Sequence, residues 1–414
     1  MSLINWIDDR FPLSKVWNEH MAQYYAPKNF NFWYYFGALS LVVLVLQIVT
    51  GIILNMHYKP DADLAFASVE YIMRDVPAGW FVRYLHGVGA SMFFLVVYLH
   101  MFRAMLYGSH RKPRELIWLL GMVIYVALMA EAFFGYLLTW GNMSYWGAQV
   151  IISLFGAIPL IGEPLAEWIR GDFVVSDATL NRFFAFHVIL LPLLLALLVY
   201  LHIVALHKVG SNNPDGVEIK KNKDKDGNPI DGIPFHPYYT VKDTFGVAVF
   251  MTIFLGIVFF VPELGGWFLE KDNFAPADIL QTPPDIVPLW YLTPYYSILR
   301  AVTFEWLPGG AKLWGVIAMG GAIVMFFFLP WLDRAKVRSI RYRGWMYKTM
   351  LMLFAVNFVM LGYLGTVNPG HVNLIWFKNV TWAQIGLVIY FAFFFLMPIY
   401  TKLDRNKPEP DRVR

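Results

Sequence analysis

Long apolar stretches recur along this chain and are separated by polar connections. A helix that crosses a membrane needs about 20 mostly apolar residues, and eight segments meet that requirement. They run over residues 33–55, 79–106, 116–140, 182–206, 244–262, 311–331, 348–367 and 381–401. The pattern therefore predicts an all-α membrane protein with eight transmembrane helices.

Two further apolar stretches do not fit this pattern. The segment 148–166 is interrupted by glycine, proline and glutamate between positions 156 and 164. Irregular backbone at membrane depth needs protein cover, so we expect short surface helices there rather than a span. The segment 288–304 contains Pro294 and follows Pro283 and Pro284, and we expect a structured loop. The aromatic and charged stretch 6–25 is expected to lie along the membrane surface.

The basic residues support this assignment of spans. Alternate connections and both termini together hold 24 of the 33 Lys and Arg residues. Because positive residues stay on the side from which a chain is inserted, both termini are expected in the cytoplasm, or in the matrix of a mitochondrion. The polar segment 211–243 is a cytoplasmic connection that divides the chain into an N-terminal domain, 1–210, and a C-terminal domain, 244–414.

Composition limits the chemistry that the chain can carry. Charged residues make up 15% of the chain and hydrophobic residues 58%, whereas a soluble protein has about 25% charged residues. Most of the chain must therefore lie in lipid. Cysteine is absent, which excludes disulfides, thiolate clusters and a covalently attached c-type haem. A metal must be held by His, Met or carboxylates, and an iron–sulfur centre must belong to another chain.

Four histidines lie within the predicted spans, where an ionisable residue is by default a functional hypothesis. His86 and His100 lie on the second span, about 21 Å apart and about 40° from eclipsed. His187 and His202 lie on the fourth span, which runs in the same direction, and a proline kink at Pro192 or a π-bulge could absorb their extra residue. His86 is then level with His187 near the outer face, and His100 is level with His202 near the cytoplasmic face. Two facing pairs suit two b-type haems. The alternative is four separate polar residues that hydrogen-bond between helices.

Glycines and arginines at matching positions are consistent with haem. Glycine allows close approach of a flat ring, and two glycine pairs share a spacing of fourteen residues: Gly37 with Gly51 and Gly121 with Gly135. Small residues also let plain helices pack closely. Arg83 and Arg103 each lie one turn from a histidine and could pair with haem propionates, or could extend to the lipid headgroups.

Several long motifs resemble the cytochrome b family of the cytochrome bc complex (respiratory complex III) nearly end to end. They are FWYYFG at 32–37, RYLHGVGASMFFLVVYLHMFR at 83–103, GYLLTWGNMSYWGA at 135–148, HKVGSNNPDG at 207–216 and PLWY at 288–291. The resemblance implies a di-haem four-helix bundle followed by a four-helix C-terminal part. It implies a low-potential haem on His86 and His187 and a high-potential haem on His100 and His202, both bound non-covalently.

The resemblance also implies a quinol:cytochrome c oxidoreductase with two quinone sites. Quinol oxidised at the outer face gives one electron to a Rieske iron–sulfur subunit and one to the haems, and quinone is reduced at the cytoplasmic face, which contributes to the proton gradient. The outer site is implied to use Tyr136, Gly147, Pro288, Tyr291 and Tyr296. The cytoplasmic site is implied to use His207, Ser211, Lys242 and Asp243, since a histidine beside a carboxylate can deliver protons to quinone.

The implied partners are the Rieske subunit, a cytochrome c₁ subunit and membrane lipid, in a dimeric complex. No nucleic-acid partner is expected. Two features favour the cytoplasmic (inner) membrane of a bacterium over the mitochondrial inner membrane: Leu289 as the second residue of the PLWY motif, and the insertion in 211–243.

The chain departs from the family pattern where quinol would lose a proton. The family usually has Glu second in the PLWY motif, and Leu289 cannot accept a proton; Thr139 also replaces a usual Pro. Glu131 lies one turn from Gly135 inside an apolar span, where a carboxylate is expensive. We therefore expect Glu131 to take the quinol proton, with a structural hydrogen-bonding role as the alternative.

Two other functions compete with this one. A different di-haem membrane anchor, such as that of formate dehydrogenase or hydrogenase, would be shorter and lack the PLWY loop and the last four helices. A secondary transporter with a His and Glu proton relay would show internal repeats and discontinuous helices and would bind no haem. We find no internal repeat in the sequence.

Overall fold

The computed structural model of the chain describes residues 2–414. Its helices begin and end as follows: α1 Leu3–Asp8, α2 Leu13–Trp17, α3 Tyr35–Asn55, α4 Ala65–Arg74, α5 Gly79–Tyr107, α6 Glu115–Leu137, α7 Asn142–Phe155, α8 Gly162–Arg170, α9 Asp177–Ala185, α10 Leu191–Val209, α11 Tyr238–Phe260, α12 Thr293–Ala301, α13 Gly310–Leu332, α14 Trp345–Thr366, α15 Asn379–Phe395 and α16 Met397–Leu403. Two short strands, β1 (Tyr25–Pro27) and β2 (Gly232–Pro234), pair antiparallel.

Seven helices among residues 2–414 are long and apolar enough to cross a membrane, and α15 with α16 forms an eighth span that is bent by 57°. The predicted all-α membrane fold with eight spans is therefore confirmed. Many side chains on these helices are apolar yet exposed, as Leu193 and Leu197 are on α10. Lipid rather than protein must cover such side chains, because a helix that is hydrophobic on all sides is stable only when it is buried or in a membrane.

The fourth span contains the irregularity that the histidine spacing required. It runs from Asp177 to Val209, and a π-helical turn at Phe186–Leu190 joins α9 to α10. Such a turn takes up one extra residue within a helix. Pro192 follows it at the start of α10, where its missing N–H costs little.

The helices pack as two groups of spans that meet along one side. In the first group, α3 packs on α5 and α6 packs on α10. In the second group, α12 packs against α13, α14 and α15. The indole Nε1 of Trp118 on α6 donates a 2.7 Å hydrogen bond to the carbonyl of Phe326 on α13, which joins the groups. Helix α11 packs on α3 and α5, although it follows the polar connection in the sequence.

Two segments differ from the sequence-based expectations. Residues 293–301 form helix α12 rather than a loop, because Pro294 stands in the first turn, where proline is tolerated. The connection 211–243 is polar but not simply solvated, since Asn213, Asp215 and Asp231 are buried. Arg412 of the C-terminal tail forms an ion pair with Asp231 at 2.6 Å, so the tail covers this segment. The segment 148–166 agrees with the expectation, since it covers the end of α7, the turn that follows and the start of α8, and neither helix qualifies as a span.

Candidate functional site

The four membrane histidines form two facing pairs between α5 and the fourth span. The ring centroids of His86 and His187 lie 6.1 Å apart, and those of His100 and His202 lie 6.5 Å apart. Two metal–imidazole bonds of about 2 Å each, together with the half-widths of the two rings, span a distance of this size. Each pair can therefore hold one metal ion between its two rings.

Hydrogen bonds orient the rings of the first pair, His86 and His187. The hydroxyl of Thr50 donates to the carbonyl of Leu46 at 2.7 Å, so it must accept a hydrogen bond from Nδ1 of His86, which lies 2.9 Å away. Nδ1 of His187 lies 2.9 Å from the backbone carbonyl of Glu131, and a carbonyl can only accept. When Nδ1 carries the proton, Nε2 is left free as a metal ligand.

The four glycines predicted to adjoin a haem each adjoin one of the four histidine rings. A Cβ atom added to each glycine would lie close to Cε1 of its histidine: 3.1 Å for Gly37 and His100, 3.2 Å for Gly51 and His86, 3.4 Å for Gly121 and His202, and 2.3 Å for Gly135 and His187. Gly135 is the most constrained, because real Cβ contacts essentially never fall below 3.0 Å. The glycines thus provide the space that the histidine rings occupy.

Arg83 and Arg103 flank the two pairs without a carboxylate partner among residues 2–414. The guanidinium of Arg103 lies over the ring of Tyr34, 4.9 Å from its centroid, and its buried Nε has no hydrogen-bond partner. Nδ1 of His202 is buried without a partner as well. A buried cation without an anion is costly, so an anionic ligand beside Arg103 fits this site.

These features together fit a b-type haem at each pair. Within the described part of the chain, no cluster of three or more His, Cys, Asp or Glu could hold a metal ion. Two imidazoles, as in each of these pairs, would instead be the protein's contribution to holding a haem, whose porphyrin supplies the other ligands. The unpaired arginines match the carboxylates that such a ring carries.

A cavity of about 690 Å³ opens beside the first histidine pair. Four residues that the sequence assigned to the quinol site line it: Tyr136, Gly147, Pro288 and Tyr296. Leu289 lines it too, and Phe186 connects it to the turn that carries His187. The lining is mostly apolar and aromatic, which suits a flat lipophilic ligand.

Tyr291 does not line this cavity. Its ring stacks on that of Phe94 with centroids 3.9 Å apart, and the side chain is buried. Its hydroxyl has no hydrogen-bond partner among the described residues. Tyr291 therefore packs behind the cavity wall and does not form part of the lining.

The two acidic side chains near the cavity occupy different positions. Oε1 of Glu131 lies 3.1 Å from Nδ1 of His187, and Glu131 is not among the residues that line the cavity. Glu270, which the sequence reasoning missed, accepts a 3.2 Å hydrogen bond from the hydroxyl of Tyr136. Burial raises the pKa of the Glu270 carboxyl to about 7. An acidic residue directly after the apolar run 267–269 is the sequence signal that could have indicated it.

The residues predicted at the cytoplasmic quinone site lie at the end of the bundle where β1 and β2 pair. The hydroxyls of Tyr24 and Ser211 are 2.9 Å apart, and the Tyr24 ring lies 4.6 Å from that of His207. Nζ of Lys242 lies over the ring of Tyr238, 4.4 Å from its centroid, and Asp243 follows it on α11. The structure therefore joins His207 and Ser211 through Tyr24, a residue that the sequence reasoning did not single out.

Comparisons with known proteins agree with this architecture. Residues 21–210 match the family model described as cytochrome b/b6/petB, and residues 276–391 match the model described as cytochrome b(C-terminal)/b6/petD. A protein named cytochrome b from Allochromatium vinosum is 60% identical over 414 residues, covering 99% of this chain and 98% of that protein. Cytochrome b from Rickettsia prowazekii is 46% identical, with 99% and 96% covered.

A solved structure described as a hyperthermophilic respiratory complex III contains a similar chain. Its TM-score is 0.87 at 36% sequence identity, and the match covers 97% of this chain and 99% of that one. The resemblance thus extends to the order and packing of the spans as well as to the sequence.

Proposed function

The chain belongs to the cytochrome b family, and from this premise we propose that it is the di-haem subunit of a quinol:cytochrome c oxidoreductase. The family binds b-type haems and is part of an oxidoreductase, complex III. The observation that carries the proposal for this chain is the pair of facing histidine sites, with centroid separations of 6.1 and 6.5 Å. Bound haem supplies one-electron redox chemistry at each site.

The chain's own residues prepare each haem site. His86 and His187 hold the low-potential haem, and His100 and His202 hold the high-potential one. The carbonyl of Glu131 and the hydroxyl of Thr50 hold the first pair of rings in position through Nδ1. The guanidinium groups of Arg83 and Arg103 bind propionates, and Gly37, Gly51, Gly121 and Gly135 leave room for the ligand rings.

Quinol is oxidised in the cavity beside the first pair, on the outer face of the membrane. Its mostly apolar walls bind the flat ring and exclude water, and the tyrosines Tyr136, Tyr295 and Tyr296 are among the few polar side chains in the lining. The π-helical turn that carries His187 also supplies the cavity lining at Phe186. A quinol bound in this cavity lies next to the low-potential site, and the shared turn supports short-range electron transfer between them.

Quinone is reduced at the opposite, cytoplasmic end. His207, Ser211, Lys242 and Asp243 bind it and deliver the two protons that its reduction takes up. The contact between Tyr24 and Ser211 ties this site to the N-terminal segment. Oxidation on one face and reduction on the other contribute to the proton gradient.

The subunit works within a dimeric complex in the cytoplasmic membrane of a bacterium, with both termini in the cytoplasm. The other subunits are a Rieske iron–sulfur protein, which takes the first electron of quinol, and cytochrome c₁. The absence of cysteine supports their being separate chains, because an iron–sulfur cluster needs cysteine thiolates and a c-type haem is attached covalently through cysteine.

The first test is a reduced-minus-oxidised spectrum with a pyridine haemochrome count on the purified complex. Two b haems per chain with separate midpoint potentials, together with quinol:cytochrome c reductase activity, are expected. A chain without haem would contradict the proposal and favour a transporter that uses the histidines as a proton relay. Two haems without quinol oxidation would leave a di-haem anchor for another dehydrogenase.

A further inference from the structure

Tyr136 connects the cavity to a carboxylate behind its wall. Its ring lines the cavity near Gly147, where an added Cβ would lie 3.8 Å from Cε1 of Tyr136. Its hydroxyl donates to Oε2 of Glu270 at 3.2 Å. Tyr136 lies in the last turn of helix α6, whereas Glu270 lies 134 residues later, in the connection between α11 and α12. The folded chain thus places a carboxylate within hydrogen-bonding distance of a tyrosine that lines the cavity.

The surroundings of Glu270 suit a proton acceptor. No cation pairs with it among residues 2–414. The titratable groups that face it are the phenols of Tyr136 and Tyr291, and Asp272 follows on the same segment. Its carboxyl pKa, raised to about 7 by burial, lies near the operating pH, where a general base is most effective.

The segment around Glu270 is held in place by hydrogen bonds to the end of α6 and the start of α7. Asn273 accepts from the backbone N–H of Ser144 at 2.9 Å and donates to the hydroxyl of Thr139 at 3.1 Å. Thr139 is where the family usually has Pro, which has no hydroxyl. The threonine therefore supplies one of the bonds that hold the Glu270 segment against α6.

We propose that Glu270 accepts a quinol proton through the hydroxyl of Tyr136, in place of the carboxylate missing at Leu289. The inference rests on the proposed function, because it needs quinol in the cavity. The quinol O–H bond breaks as its proton passes to the Tyr136 oxygen, and the Tyr136 hydroxyl proton passes to Oε2 of Glu270. One electron leaves to the low-potential site as this proton is transferred, and the other electron and the other quinol proton leave to the iron–sulfur subunit of the proposed function. Glu270 acts through Tyr136 and does not touch the quinol.

The test compares pH profiles of quinol oxidation in the purified complex and its variants. The wild type is expected to gain kcat as pH rises through about 7, because only ionised Glu270 can accept a proton. Glu270→Gln is expected to lose about 10²-fold in kcat, within the range of general-base contributions, with KM nearly unchanged and the rise near pH 7 absent. Tyr136→Phe is expected to lose a similar factor, and the double variant little more, because both residues serve one path.

Rescue and control variants separate proton transfer from structure. Glu270→His introduces a group that titrates near pH 6.5, and it is expected to restore part of kcat together with a pH-dependent rise. Glu263→Gln removes a carboxylate from the same connection and is expected to match the wild type. The haem spectrum and haem count, measured on every sample, report whether each variant folds.

Three results would overturn the inference. One is a Glu270→Gln complex with two haems and an unchanged pH profile. Another is failure of Glu270→His to restore any pH-dependent rate. The third is loss of the rise near pH 7 in Glu131→Gln while Glu270→Gln retains it, which would assign the proton to Glu131. The proposed function fails separately, if the wild-type complex itself does not oxidise quinol.

Discussion

Glu131 contacts Nδ1 of His187 twice, through its backbone carbonyl at 2.9 Å and through its carboxylate Oε1 at 3.1 Å. An outer partner of this kind orients a ligating histidine and tunes the metal that it binds. The sequence alone gave Glu131 a different role, as the acceptor of the quinol proton. The two roles predict different results for the Glu131→Gln variant.

Glu131→Gln is expected to raise the midpoint potential of the low-potential haem by about 60 mV, a tenfold change in a one-electron equilibrium. Replacing the carboxyl with an amide weakens the outer partner that makes the His187 imidazole a stronger donor, which favours the reduced iron, while the haem proposed at His100 and His202 should not change. Redox titration of both haems measures this. The sequence-based hypothesis instead predicts slower quinol oxidation with an altered pH dependence. Midpoint potentials equal to those of the wild type, together with slower turnover, would favour Glu131 as the proton acceptor.

Replacement of one histidine in either pair should remove one haem and leave the other. His86→Leu removes a proposed haem ligand near one end of α5, and His100→Leu removes a second proposed ligand about 21 Å away along the helix. Each variant is expected to give one haem per chain in the haemochrome count. The midpoint potential of the remaining haem should differ between the two variants. His57→Leu, outside both pairs, should retain two haems. Loss of both haems from each single variant, with His57→Leu intact, would contradict two independent sites.

Gly135→Ala tests the close approach between α6 and His187. The added methyl would meet Cε1 of His187 at 2.3 Å, so the ring must move and the low-potential haem should be lost or its spectrum shifted. Gly256→Ala is the matched control in α11, where an added Cβ meets nothing within 4 Å. It should retain both haems and gain up to about 1 kcal/mol in helix stability. Equal spectra for the two variants would show that Gly135 carries no special constraint.

Asp231→Asn should release the C-terminal tail from the connection 211–243. Its side-chain hydrogen bond to Arg412 is the main cause that lowers the pKa of Asp231 to about 2, with Lys28 adding to it. A lost charge-assisted bond costs about 1.5–3 kcal/mol, so amide hydrogens in 405–414 are expected to exchange faster when followed by mass spectrometry. Asp226→Asn, an exposed position on the same connection, is the control.

The same ion pair predicts a pH dependence of tail docking in the wild type. Because the pKa of Asp231 is lower in the folded state than its ordinary 3.8, the stabilisation is complete above pH 4 and is lost as pH falls towards 2. Tail exchange in the wild type should accelerate over this interval, after correction for the intrinsic exchange rate. The Asp231→Asn variant should show no such step.

The spans, the register of the histidines and the glycine positions could all be predicted from the sequence. Lipid requires long apolar helices, and a regular helix converts residue spacing directly into height and angle. His86 and His100 therefore had to lie at two levels, and the irregular spacing of His187 and His202 called for a proline kink or a π-bulge, which the structure provides as the π-helical turn at Phe186–Leu190. These features depend only on the geometry of single helices, which local sequence determines.

The neighbours of the acidic residues were decided only by the tertiary structure. Glu131 was predicted to face the quinol because it lies one turn from Gly135, yet the packing of α6 on the fourth span turns its carboxylate to His187. Glu270 and Tyr136 are 134 residues apart, and no periodicity relates a connecting segment to a distant helix end. Their contact arises from the path of that segment over the bundle, which the hydrogen bonds of Asn273 hold in place. Helical spacing is a local property, whereas the partner of a buried carboxylate depends on how remote segments pack.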